Sequence, residues 1–199
     1  MSLNQMRSFA VRRMLVFGLF LSMLATPCYA QAIRARPQIS VGPKPALVIL
    51  GSFTISASPT TATFALVSNG VSNAQSVTIT TSWIVLGLGT DTLDIYGYFT
   101  NPASALQNTA SSSFVIPSSA VSGQVTGTGS LVSSYTPFTQ TTPQASASGL
   151  HLASTSQTFL LLGAGSQTNT LSLKINLSGQ PQLPAGSYTG VLTLQAVSN

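Results

Sequence analysis

The sequence predicts an all-β fold, an antiparallel β-sandwich, and three observations carry that expectation. First, the last thirty residues hold two alternating runs around a Gly/Pro-rich connection. In one run Leu171, Leu173, Ile175 and Leu177 share a parity, with Ser172, Lys174 and Asn176 on the other, the period of two of a strand with one buried face. In the other run Tyr188 leads into Leu192, Leu194 and Ala196. Second, only 5% of the residues are charged while Ser, Thr and Val abound, the reverse of the composition that keeps a chain disordered. Third, turn signals recur at short intervals, at Ser68-Asn69-Gly70, Asn101-Pro102, Ile116-Pro117 and Gly127 to Gly129, the punctuation of many short strands.

Residues 1–30 read as a secretory signal peptide. Arg7, Arg12 and Arg13 form a positive leader, Met14 to Ala25 is an apolar run too short to span a bilayer, and Ala30 closes a small-residue cleavage site. The formal charge of +5 then loses three arginines. What remains is Arg34, Arg36, Lys44 and Lys174 against Asp91 and Asp94, with no cluster of cations for phosphates. Nucleic acid is therefore not an expected partner, and the mature chain offers no integral membrane segment. The single cysteine, Cys28, leaves with the leader, so neither a disulfide nor thiol chemistry is expected. A mature chain of roughly 170 residues is long enough to bury a core without one. The expected location is secreted: periplasm, cell surface or extracellular.

Residues 46–199 read as one domain. Candidate strands are Ala46 to Leu50, Phe53 to Ala57, Thr63 to Val67, Ser76 to Leu86, Thr92 to Phe99, Phe114 to Ile116, Val121 to Thr126, Leu150 to Ala153 and Thr158 to Leu162, before the closing pair. In the fourth, Val77, Ile79, Trp83 and Val85 share a face, which assigns Trp83 to the core. Gly87 and Gly89 read as a turn that also holds Asp91. The Ser/Thr/Pro/Gln-rich stretch of residues 130–149 reads as a long loop within the domain.

Catalytic chemistry has little to work with. His151 is the only histidine and lies far along the chain from Asp91 and Asp94, the only acidic side chains. No GxSxG sequence is present, and a triad needs a histidine oriented by a carboxylate. The D-x-x-D pair supplies two carboxylates where calcium takes about six or more oxygens. The expectation is a non-enzyme with no cofactor and no metal. His151 is expected at a strand edge, partly exposed, and Asp94 on a solvent face beside Tyr96 and Tyr98. These two tyrosines are the candidate exposed contact surface.

Residues 31–45 form an N-terminal extension. Ile33, Ala35, Ile39 and Val41 share one parity, Arg34, Arg36, Gln38 and Ser40 the other, and Gly42-Pro43 follows as a breaker. The segment is either an ordinary first strand or a donor strand that adds to the sheet edge of another copy. Pro37 lacks an N–H and costs a ladder bond unless it faces away from a partner.

The run Pro184-Ala185-Gly186-Ser187-Tyr188-Thr189-Gly190-Val191-Leu192-Thr193-Leu194 resembles the closing strand of spore coat protein U-type domains and related chaperone–usher pilins. Thr170 to Leu177 resembles their penultimate strand. The resemblance implies a secreted immunoglobulin-like sandwich that lacks one strand. A periplasmic chaperone, working with an outer-membrane usher, supplies that strand first, and the N-terminal extension of the next subunit supplies it later. On that basis Ile33, Ala35, Ile39 and Val41 are the candidate donor residues, and Leu171, Leu173, Ile175 and Leu177 the candidate acceptor groove. The expected function is a structural subunit of a bacterial surface or filament assembly, associating with itself or with related subunits. The alternative is a self-complete secreted sandwich that binds a glycan or surface ligand.

Overall fold

The computed structural model describes residues 30–41, 48–73 and 76–199; all but the last residue of the expected signal peptide (residues 1–30) and the expected breaker Gly42-Pro43 lie outside them. The protein is an all-β sandwich of two packed, predominantly antiparallel sheets. Its strands are β1 (Ala30–Val41), β2 (Val48–Ser58), β3 (Thr61–Ala65), β4 (Val71–Asn73), β5 (Val77–Tyr98) and β6 (Leu106–Asn108). They continue with β7 (Val115–Ile116), β8 (Val121–Gly127), β9 (Thr136–Pro137), β10 (Gln140–Thr142), β11 (Ala145–Asn176) and β12 (Tyr188–Ser198). One 3-10 turn, Ser118–Ala120, precedes β8.

β5 and β11 form one long antiparallel ladder, from Gly149 opposite Tyr98 to Leu171 opposite Val77. Each changes its outer partner midway. The first half of β5 pairs with β2, from Ser58 opposite Thr78 to Val48 opposite Gly87. Its second half pairs with β12, from Leu93 opposite Ser198 to Tyr98 opposite Thr193. Likewise β11 carries β10 near its start and β8 near its end. The two strands thus serve both layers.

This merges segments that the sequence divides. Val77 to Leu86 and Thr92 to Tyr98 belong to one strand, and Leu150 to Ala153, Thr158 to Leu162 and Leu171 to Asn176 belong to another. Gly87 and Gly89 make no turn. β11 stays in register past them, so the chain runs on without reversing. Gly89 takes φ +143°, a conformation that L side chains rarely adopt, and it lies between the half of β5 held by β2 and the half held by β12.

The core holds the alternating faces predicted for it. Val77, Ile79, Trp83 and Val85 are buried, as are Leu171, Leu173, Ile175, Leu177, Leu192, Leu194 and Ala196. The stretch expected as a loop, residues 130–149, is pinned to this core. It contains β9 and β10, and Phe138 within it is fully buried. The Phe138 ring lies where side chains on Gly97 of β5 and Gly123 of β8 would stand, about 3.2 and 3.1 Å from the positions of their absent Cβ atoms. It meets Phe99 edge to face at 5.4 Å between centroids. A polar segment is thereby ordered by one aromatic anchor and two glycines that make room for it. Phe138→Ala is expected to cost about 3–5 kcal/mol. Urea unfolding of the variant beside the parent measures this, and a loss below about 1 kcal/mol would show that Phe138 is not the anchor.

Candidate functional site

The first candidate site is the slot that β1 fills between β3 and β12. β1 runs parallel to β12 over its length, from Ala32 opposite Thr189 to Val41 opposite Ser198. It runs antiparallel to β3 from Ala30 opposite Ala65 to Arg34 opposite Thr61. The β1–β12 ladder is the one parallel pairing among the described strands. Of the candidate donor residues, Ile33 stands opposite Gly190, Ala35 opposite Leu192, Ile39 opposite Ala196 and Val41 opposite Ser198. On the β12 side of this ladder Leu192, Thr193, Leu194, Gln195 and Ala196 are all buried. Pro37 stands opposite Leu194, past the end of the pairing with β3, where β1 has a strand partner on one side only. That position tolerates a missing N–H.

The candidate acceptor residues sit elsewhere in the sandwich. Leu171, Leu173 and Ile175 lie on β11 and Leu177 follows it, and β11 pairs with β5, β8 and β4 rather than with β1. They are core, not the edges of the slot; those edges are β3 and β12. Alternation identifies a buried face but leaves open which strand is its neighbour.

The run that carries the family resemblance closes one end of the slot. The Tyr188 hydroxyl donates to the Pro184 carbonyl at 3.0 Å, and the buried ring fixes the start of β12. Gly186 takes φ +150° against the side chain of Asn108, whose carbonyl accepts from the N–H groups of Ala110 and Ser111 at 2.8 and 3.1 Å.

A polar seam closes the other end. Asp91 is not in a turn but in β5, buried. Its carboxylate accepts from the Ser198 hydroxyl at 2.5 Å and from the Thr92 N–H at 3.0 Å. Asp94 is also buried rather than facing solvent. One of its oxygens lies 3.1 Å from His151 Nε2, and the other accepts from Asn199 Nδ2 at 2.7 Å. Thr92 and Asn199 exchange backbone hydrogen bonds at 3.0 and 2.9 Å. Both carboxylates therefore tie the end of β12 to β5.

His151 is inside β11, half-buried, and the Tyr96 ring stacks on it at 4.4 Å between centroids. Tyr96 is partly exposed, but Tyr98 is only 5% exposed, so the pair does not form the open contact surface expected of it. Both faces of this part of β5 are covered, which alternation alone does not reveal. Among the described residues no hydroxyl is hydrogen-bonded to the His151 ring, and no three His, Cys, Asp or Glu side chains converge. The arrangement clamps the end of β12 to β5 and β11. The seam went unread because Asp94 and His151 are distant in sequence. The available signal was scarcity: in a chain with two acids and one histidine, mutual pairing is the simplest way to satisfy all three if they are buried. Among the described residues no helix is long and apolar enough to cross a membrane.

Burial and, secondarily, the Asp94 charge push the Tyr96 hydroxyl above its usual 10.0. A raised folded value favours the protonated ring. The associated stability is complete below pH 10.0 and declines as pH rises through the folded value. In Asp94→Asn the Tyr96 transition is expected to move down toward 10.0. Tyrosinate absorbance, with Tyr96→Phe subtracted, reads the shift; an unmoved transition would leave burial as its only cause. No protein-family profile matches this chain and no curated protein is similar to it, so its function is read from the geometry above.

Proposed function

We propose that the chain is a secreted, non-enzymatic structural subunit of a bacterial surface or filament assembly, joined by exchange of residues 31–41 between copies. The observation that supports this most is the way β1 is held. It is a terminal strand between two strands, neither of them joined to it by a tight hairpin, and its ladders are main-chain pairings that the same segment of another copy can reproduce. Without β1, β12 and β3 present unpaired edges, which natural sheets seldom leave open. A periplasmic chaperone and an outer-membrane usher, implied by the family resemblance, are the partners that keep such an edge covered before assembly.

Self-filling and exchange make the same ladders, so they differ little in contact energy. The connection at residues 42–47 and the effective concentration of the competing strand decide between them. Once exchanged, the joint opens only if both ladders break, which makes the polymer slow to dissociate.

Deleting residues 31–41 is expected to abolish SDS-resistant, heat-sensitive multimers while secretion continues. Multimers that persist in the deletion would rule the mechanism out. A cysteine pair separates the two placements of β1. Gln38 and Gln195 are register partners. Gln38→Cys with Gln195→Cys in a Cys28-free chain is expected to give disulfide-linked ladders on non-reducing gels. A cross-linked monomer and nothing larger would assign β1 to its own slot.

A further inference from the structure

A small cleft of about 260 Å³ opens beside the β5–β11 ladder, away from the slot. Trp83 of β5 forms one wall. Gln157, Thr158, Ser166 and Gln167 of β11 and Thr128 of the loop after β8 supply amides and hydroxyls. Gly163 and Gly165 also line it, and Gly165 packs close on Trp83: a Cβ there would stand 2.6 Å from the indole Cζ2.

The polar groups here are held but not satisfied. Asn169 Nδ2 donates to the Thr128 carbonyl at 2.8 Å, and Gln167 Nε2 reaches Asn169 Oδ1 at 3.4 Å. This relay sets the orientation of the Gln167 amide and leaves Oε1 as its uncommitted end. Gln167 is only 6% exposed, and its Oε1 has no hydrogen-bond partner. Two further buried hydroxyls without partners lie on the same stretch: Thr81, the register partner of Gln167, and Thr155. Unpaired buried polar atoms are rare in native proteins and concentrate where a ligand or water supplies the missing partner.

No charged side chain lines the cleft, which disfavours phosphates and carboxylates as ligands. Its lining is mostly hydroxyl and amide, which disfavours an acyl chain. Its volume falls below the roughly 300–1,000 Å³ of drug-sized sites. An aromatic wall with both amide donors and acceptors matches a ligand that has apolar C–H faces and a rim of hydroxyls. We propose that this cleft binds one ring of a neutral saccharide, with the Gln167 Oε1 accepting from a sugar hydroxyl and the Trp83 indole against the ring. The site shares no residue with the slot and does not depend on how copies assemble.

Trp83 is the only tryptophan of the chain, so its fluorescence reports on this cleft. The secreted protein is titrated with glucose, galactose, mannose, N-acetylglucosamine and their β1,4-linked disaccharides, with glucuronate as the charged comparison. A saturable change with at least one neutral sugar and none with glucuronate is expected. Gln167→Met should weaken that response about tenfold at an unchanged melting temperature. Thr158→Ala, at the exposed rim, should weaken it several-fold and decides the matter if Gln167→Met does not fold. Ser56→Ala, an exposed hydroxyl outside the cleft, should leave it unchanged. No saturable response to any neutral sugar, or equal responses in the parent and the folded cleft variants, would overturn the proposal.

Discussion

Backbone groups buried in a sandwich must be paired, and in this chain most of that requirement falls on one ladder. β5 has 22 residues and β11 has 32, several times the usual strand of about five or six. A ladder of that length changes its outer partners on either side of Gly89, from β2 to β12, and so contributes to both layers. The remaining strands are arranged by where they meet it. β2 and β8 flank the half before Gly89, and β12 and β10 flank the half after it. β12 then offers a free edge, and β1 is the strand that takes it.

The buried faces were legible in the sequence because alternation is local. Leu171, Leu173, Ile175 and Leu177 pack as their parity requires, whereas on β12 Thr193 and Gln195 are buried along with Leu192, Leu194 and Ala196. Neighbour relations were not legible, because pairing is non-local. Leu171 to Leu177 were read as lining the slot, yet their strand pairs with β5, β8 and β4. Gly87 and Gly89 carried a true signal of unusual backbone, but whether a glycine turns the chain or stays within a strand depends on whether the partner strand continues beside it. The polar stretch around Phe138 failed in another way. A single aromatic residue among Ser, Thr and Gln carries little periodic signal, and its anchoring depends on glycines in two distant strands.

The two aspartates act at the end of β12 that borders the slot. β12 is held at its start by the Tyr188–Pro184 hydrogen bond and at its end by the two aspartates. Both aspartate side chains are buried, so these hydrogen bonds form with little competition from water. In the proposed strand exchange a fixed edge matters more than in an ordinary sandwich. A strand that arrives from outside is accepted only if the edge it meets already has its register.

One short path connects the two ends of this architecture. Gln157, at the mouth of the cleft, is the register partner of Asp91, and Asp91 holds Ser198 at the end of β12. A ligand that leaves Gln157 in place leaves that hydrogen bond, and therefore the slot, unchanged. A ligand that draws Gln157 toward itself strains the ladder at Asp91 and loosens the β12 edge. By reciprocity, a strand seated firmly in the slot then weakens binding in the cleft by the same factor. The backbone ladder between Gln157 and Asp91 opposes such movement, because shifting one residue disturbs the pairing on either side of it. The geometry therefore favours independence: a cleft that can be filled or empty on a subunit whose edge geometry stays the same.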